Sequence, residues 1–467
     1  MEADLTPPSG ERYRRLSLWW DGLPGPIGMR APLDGDTEVD VAIVGGGLTG
    51  LWTAYYLAEA DPGLRIAVLE RDVAGFGASG RNGGWCSALF SLSEPTLDRR
   101  CGPGSGRAQH RAMEETVREV GRVVEAEGIE CGFHQGGTVV LARTPAQLAR
   151  THEEIADARA RGIGEDDLTF LSPAEATARV GATDVLGGTF TPHCAAVDPA
   201  RLVRGLADVV ERRGVRIHEQ TTVLSIAPGR VTTSLGTVRA DTVVRATEGY
   251  TRTLAGQERA VIPVYSLMIA TEPLPDAFWT EHGLADRETF ADHRHLVIYG
   301  QRTEDGRFAF GGRGAPYHFG SAIRAEYDRD DTVHEALRRT LVGLFPALSD
   351  VAVTHRWGGP LGISRDWFSS VGMDPGTRMA WAGGYVGDGL STTNLAGRTL
   401  RDLVLGESGD LTALPWVNHR SRRWEPEPFR YVGINAGLRI AGTADRAEDR
   451  KGAATWHAKL LDRLVGG

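Results

Sequence analysis

The chain has 467 residues, 41% of them apolar, and a net charge of −9, a size that suits two domains rather than one simple core. Acids and bases are interspersed, with only two lysines (Lys451 and Lys459) and no basic block, which argues against nucleic-acid binding. No run approaches the roughly 18 apolar residues of a membrane span, Met1 to Arg30 lacks the apolar core of a signal peptide, and four cysteines without CxxC spacing leave a zinc site unsupported. A reduced, cytoplasmic protein is expected.

Residues 1–37 form a leader punctuated by proline and glycine. Its Leu18-Trp19-Trp20 cluster is expected to pack on the body, because an exposed tail rarely carries such a patch. Val39-Asp40-Val41-Ala42-Ile43-Val44 then predicts a buried parallel strand. Gly45-Gly46-Gly47-Leu48-Thr49-Gly50 follows as G-x-G-x-x-G, then a helix over 51–60 and a second strand over 65–69 ending on Glu70. Glu70 lies 20 residues past Gly50, the spacing at which the second strand of a βαβ unit meets the ribose of a bound dinucleotide.

Each part has a physical reason. Gly45 permits the tight turn, Gly47 lets backbone approach a pyrophosphate, and Gly50 lets helix and strand pack closely. Free N–H groups at the helix start attract phosphate charge. A carboxylate at Glu70 accepts hydrogen bonds from ribose hydroxyls and repels a 2′-phosphate. A second loop, Arg71 to Trp85, holds five glycines among Ser79, Arg81 and Asn82. A nicotinamide fold would resume its βα alternation there; a loop of small residues suits a longer cofactor whose ribityl chain and ring continue along the protein.

Further on, 107–127 reads as a helix with Met113, Val117, Val120, Val123 and Val124 on one stripe. A strand over 137–142 and a charged helix over 145–161 follow. Asp198 and Pro199 open a helix over 199–213 as N-cap and first residue. Strands are expected over 215–218, 222–226 and 241–246. Strands 262–271, 295–301 and 307–312, with the turn Glu304-Asp305-Gly306, read as antiparallel hairpins. Residues 411–467 carry no sharp signal.

The run GFGASGRNGG at 75–84, with Met379 to Leu390 and Thr393 to Arg398, resembles the flavin loop and the closing strand, glycine turn and helix of the D-amino-acid-oxidase superfamily. Within it, the likeness is to γ-glutamylputrescine oxidoreductases and to glycine- or sarcosine-oxidase-like amine oxidases, over about residues 38 to 410. The resemblance implies an α/β fold (α+β overall): a Rossmann-type FAD-binding domain over 38–106, 195–260 and 355–410, and a discontinuous antiparallel-sheet substrate domain over 107–194 and 261–354. Residues 1–37 are then a leader and 411–467 a C-terminal extension. It further implies FAD contacts from Gly45, Gly47, Leu48, Thr49, Gly50, Glu70 and Arg71, from the loop Ala78, Ser79, Gly80, Arg81, Asn82, Gly83 and Gly84, from Val223 beside the adenine and Ala246-Thr247 beside the diphosphate, and from Gly384, Gly387, Asp388, Gly389 and Leu390.

The activity implied is oxidation of the C–N bond of a small amine or amino-acid-like substrate to an imine, with the flavin reoxidised by O2 to give H2O2. Such chemistry needs orientation, a dry pocket and positive potential near the flavin N1–C2=O edge. The start of a helix over 390–405 is the candidate for that potential. Asp388 departs from relatives that often carry His in this turn, and a helix-capping role is expected for it. Arg81 and Asn82 are read either as groups near the ring or substrate or as loop-stabilising residues. Of Tyr250, Tyr265, Tyr299, Tyr317, Trp357 and Tyr385, two or three are expected to face the cavity and the rest to pack the core.

Histidine spacing suggests no metal. Sarcosine-oxidase relatives anchor flavin to a cysteine in the C-terminal half, and dimethylglycine-dehydrogenase relatives to a histidine near the first glycine loops. The last cysteine here is Cys194, and 45–84 contains no histidine, so FAD is expected to be noncovalent. Competing readings are a flavin dehydrogenase with another acceptor, a flavin monooxygenase needing NAD(P)H, and a non-catalytic flavoprotein partner. The sequence selects neither the amine nor the oligomeric state.

Overall fold

The computed structural model describes residues 10–312 and 314–451, with side chains to 444. Two eight-stranded sheets organise it. In the first, Met379–Gly383, Thr237–Arg245, Thr37–Val44, Ile66–Leu69 and Arg216–His218 run parallel in that spatial order. Both faces of such a sheet are covered, which is why Val39–Val44 and Ile66–Leu69 read as near-continuous apolar runs. Ser370–Asp374 closes one edge antiparallel to Met379–Gly383, and the hairpin Val223–Ala227/Arg230–Thr233 hangs from Thr237–Arg245.

Helices Leu48–Ala60, Pro199–Arg212 and Gly389–Leu405 share one core with this sheet. Asp198 caps Pro199–Arg212 as expected, accepting from the N–H groups of Ala200 at 2.9 Å and Arg201 at 3.0 Å. Helix Ser105–Ala126 buries Met113, Val117, Val120, Val123 and Val124 in the same core, beside Tyr56 and Leu395. That stripe was expected within the substrate region; its apolar face packs toward helices Gly389–Leu405 and Leu48–Ala60, as the bonds of Tyr56 to Glu119 and of Arg398 to Thr116 show, and so joins the core of the first sheet's helical layer.

The second sheet has the order Val353–Ile363, Ile262–Thr271, Phe308–Gly312, Ile298–Arg302, Thr289–Asp292, Thr138–Ala142, Gly187–Thr191, Thr169–Leu171. It is antiparallel except where Thr289–Asp292 runs parallel to Thr138–Ala142. The expected boundary at 355 falls inside Val353–Ile363, which pairs with Ile262–Thr271 from Ile262↔Ile363 to Thr271↔Val353. The second sheet thus extends to residue 363. One face packs helix Asp331–Leu344 through Leu267, Ile269, Phe308 and Leu337. The other presents Met268, Ala270, Ala309 and Tyr299 to the leader, whose Leu18, Trp19 and Trp20 are buried there as expected.

Beyond 410, Trp416 and Trp424 are buried. The Trp424 indole donates to Ile363 O at 2.8 Å, fastening the described part of this extension to the end of the second sheet.

Candidate functional site

Strand Thr37–Val44 delivers the chain to Gly45, whose N–H still follows the sheet and donates to Leu69 O at 2.9 Å. Gly45 has φ 114°, and a Cβ on it would overlap Ala246 O, so the turn brings Ala246 and Thr247 against the first glycine. A Cβ on Gly50 would overlap Gly45 O and sit 3.1 Å from Ile43 Cγ2, which is the close helix–strand contact that the third glycine makes room for. Gly47 is the N-cap of Leu48–Ala60 and has no side chain to occupy the first turn. Its N–H has no acceptor among the described residues, leaving an open donor where an anion is favoured.

Glu70 closes the other side. Its Oε2 accepts from Gly46 N at 2.8 Å and its Oε1 from Asp72 N at 2.9 Å, and lone pairs remain for two hydroxyl donors. Burial pushes its carboxyl up to about 7 against those two stabilising N–H bonds. Thr221 N donates to Glu70 O at 2.8 Å, which places Val223, two residues on, next to this rim. Arg71 lies over the rings of Tyr250 at 5.0 Å and Phe76 at 5.8 Å and pairs with Asp72 at 2.9 Å.

The second glycine loop sits directly on this turn. Ser79 Oγ accepts the Leu48 N–H at 2.9 Å, tying the loop to the helix start. Ala78–Gly80 is a single 3-10 turn. Asn82 holds the loop together: Nδ2 donates to Ala78 O and Ser79 O, both at 3.1 Å, and Oδ1 accepts from Gly84 N at 2.8 Å. Arg81 is buried and turned toward the second sheet. It bonds Asp328 Oδ2 at 2.7 Å, Gly358 O at 3.1 Å and Tyr250 Oη at 2.9 Å. Gly83 lies against the ring of Tyr299, where a Cβ would come within 2.7 Å, and the Tyr299 hydroxyl pairs with Ser266 Oγ at 2.8 Å. Gly83 O accepts from Gln301 Nε2 at 2.6 Å.

The third part is the turn before Gly389–Leu405. Gly383, Gly384, Val386 and Gly387 all have positive φ, and for the β-branched Val386 at 60° that is a strained conformation. Tyr385 Oη pairs with Thr49 Oγ1 at 2.9 Å, and Ser391 Oγ donates to Ser87 O, so this helix start stands beside both the first helix and the strand after the second loop. Asp388 occupies the N-cap position, but its side chain makes no capping bond; the expected capping role for its carboxylate is corrected. The cap is instead closed through its carbonyl, which accepts from Thr392 Oγ1.

Glu248, unforeseen in the sequence, anchors this turn. Its Oε1 accepts from Tyr385 N at 3.0 Å, and burial raises its carboxyl to about 7. Its neighbour Arg245 is pushed down to about 10 by burial.

Trp357, Tyr265 and Tyr317 do not join the cradle. Trp357 is buried with its indole N–H on Arg81 O at 2.9 Å; Tyr265 bonds Arg324 O at 3.4 Å in the second core; Tyr317 bonds Ser321 and Glu427. Tyr299 and Tyr385 stand where the loops converge. Glu114, Asp167 and His193 approach one another closely enough to hold an ion, yet Arg107 lies 3.3 Å from Glu114 and 3.7 Å from Asp167, so their charge is already met by a guanidinium.

A family model described as "FAD dependent oxidoreductase" matches residues 40–403. The chain is 31% identical over 393 residues to the "Probable oxidoreductase OrdL" of Rhizobium meliloti, covering 82% of this chain and 86% of that one. It is 30% identical over 399 residues to the gamma-glutamylputrescine oxidoreductase of Escherichia coli, covering 83% and 89% respectively. The crystal structure of glycine oxidase from Geobacillus kaustophilus superposes with a TM-score of 0.67 at 22% identity, over 82% of this chain and 99% of that one, a likeness of fold.

Proposed function

The chain belongs to the FAD dependent oxidoreductase family, of the amine and amino-acid oxidase type, and within it we propose that this protein oxidises the C–N bond of a small amine to an imine, with O2 as the final acceptor and H2O2 as product. FAD is its cofactor, and the cradle fits it. The open Gly47 N–H suits a diphosphate, Glu70 a ribose diol, and the glycine path from Gly75 to Gly84 a long, flat continuation. When bound, FAD supplies a two-electron acceptor for the substrate's α-carbon.

The chain's own residues supply position and potential. Gly45, Gly47, Leu48, Thr49 and Gly50 hold the diphosphate end, and Ala246 and Thr247 back it. Ser79 and Asn82 fix the loop along the ring, and Tyr299 and Met268 wall the substrate side. The free N–H groups at the start of Gly389–Leu405 lower the energy of negative charge that develops during oxidation of the amine. Arg81 acts by holding the loop to the second sheet.

The observation that carries this reading is the convergence of three separate segments on one place: Leu48 on Ser79, Thr49 on Tyr385, and Ser87 on Ser391. The γ-glutamylputrescine relative supports an amine substrate class. Noncovalent attachment is part of the proposal, as is a cytoplasmic setting, for which four free cysteines speak. No described helix is long and apolar enough to cross a membrane.

Anaerobic addition of an amine panel should bleach the flavin without NADH, and admission of air should restore colour with one H2O2 per flavin. Bleaching that requires NADH would replace this reading with a monooxygenase. Bleaching that persists in air until a dye is added would make it a dehydrogenase.

A further inference from the structure

Three consecutive carbonyls of the second glycine loop are each held by a side chain from outside it. Ser17 Oγ donates to Gly80 O at 3.1 Å, Trp357 Nε1 to Arg81 O at 2.9 Å, and Trp19 Nε1 to Asn82 O at 2.8 Å. Two of these donors come from the leader, more than sixty positions away in sequence. Trp19 is rigidly placed: it is buried and meets the Trp357 ring edge-on at 6.3 Å. Trp20 packs beneath the same loop, where a Cβ on Gly80 would come within 2.5 Å of its indole nitrogen.

In a trans peptide the carbonyl and the following N–H point in opposite directions. Turning Asn82 O toward Trp19 therefore turns the Gly83 N–H away from the leader. The N–H groups of Arg81 and Asn82 both donate to Ala78 O, at 3.1 and 2.9 Å, and that of Gly84 to Asn82 Oδ1. The Gly83 N–H has no acceptor among the described residues. This half-buried donor is met by water or by a ligand acceptor, and an isoalloxazine ring carries several such acceptors.

We propose that Trp19 is a positioning residue for the cofactor: its bond to Asn82 O orients the Asn82–Gly83 peptide so that the Gly83 N–H donates to the bound flavin. The inference rests on FAD lying along this loop. Ser17 and Trp357 brace the two preceding peptides, so the leader is a strap on the flavin loop as well as a packing element. Because the ring gains electron density on reduction, the donor stabilises the reduced form more than the oxidised one.

The test compares Trp19→Phe, which keeps a ring and deletes the N–H, with Trp19→His, which keeps a ring N–H. Trp20→Phe serves as a packing control. Three readouts need no amine and so stand apart from the substrate reading: FAD dissociation constant, flavin reduction potential by dye equilibration, and FAD-dependent hydrogen-exchange protection at Gly83.

Trp19→Phe should weaken FAD roughly threefold to tenfold, lower the potential and abolish the protection. Trp19→His should move all three back toward wild type, and Trp20→Phe should lower Tm without changing the potential. Equal potentials in wild type and Trp19→Phe, or equal shifts in Trp19→Phe and Trp20→Phe, would overturn the proposal. Should Trp19→Phe fail to fold, the wild-type exchange experiment decides: without FAD-dependent protection of the Gly83 amide the proposal falls.

Discussion

Glu70, proposed to hold the ribose, would tie cofactor binding to the charge on a single carboxylate. Burial raises its carboxyl to about 7, above the usual carboxylate value. The stability this contributes is therefore present at low pH and is lost as pH rises through about 7. Ribose hydroxyls donate more strongly to the charged form, which accepts at both oxygens, so FAD binding should strengthen, by up to about tenfold, between pH 6 and pH 8. Glu70→Gln should flatten that slope, which fluorescence titration of FAD at several pH values can measure. Glu70→Ala should cost on the order of 1.5–3 kcal/mol, a roughly tenfold to hundredfold loss of affinity; an unchanged titration would remove Glu70 from the ribose. Asp388→Asn, by removing a negative charge beside the helix start, should raise the flavin potential, and an unaltered potential would place that carboxylate away from the ring. Glu70 was legible in the sequence because a βαβ unit fixes its distance from the glycines. Glu248 was not, because its task, binding Tyr385 N at 3.0 Å, joins positions 137 residues apart that no local pattern links.

At the level of elements, the glycines that look alike in sequence do different work. Gly50 makes room for strand Thr37–Val44, whereas Gly397 lets Gly389–Leu405 cross Leu48–Ala60: a Cβ there would come 2.7 Å from both the backbone carbon and Cβ of Trp52. Neither neighbour can swing aside, so Gly397→Ala should destabilise by about 1–3 kcal/mol and lower the thermal midpoint of the holoprotein. An unchanged midpoint would mean that the two helices separate freely. Gly389→Pro tests the helix start itself, by distorting the turn and removing one donor. Amine-dependent bleaching should slow more than FAD binding weakens, because the charge that these N–H groups meet develops during the reaction. Equal losses in the two measurements would take this helix out of the chemistry. Ile262–Thr271 and the hairpin Ile298–Arg302/Phe308–Gly312 were legible from β-rich runs around a turn. The affiliation of Val353–Ile363 was hidden, since its pairing partner, Ile262–Thr271, lies far earlier in the chain and Gly358, Gly359 and Gly362 disguise it as a turn-rich run. The stripe of Ser105–Ala126 gave the helix but not the surface it covers, for which periodicity carries no information.

Across the whole molecule, the leader, the two sheets and the closing helix meet at the proposed flavin cradle, assembled from segments distant in the chain. The fold class was readable because strand, glycine turn, helix, strand and acid occur in register. The walls on the substrate side depend on which face of the second sheet is turned inward, and this put Tyr299 at the cradle while Tyr265 went to the opposite core. Purified protein should be yellow, and acid or heat should release FAD into the supernatant; colour that stays with the precipitate would contradict noncovalent attachment. Amine oxidation is tested most directly by anaerobic stopped-flow absorbance of the holoprotein mixed with a panel of small amines, followed by admission of air. At least one amine should bleach the flavin without NADH, and air should restore it with stoichiometric H2O2. A flavin that stays oxidised with every amine, yet bleaches with dithionite, would contradict amine oxidation.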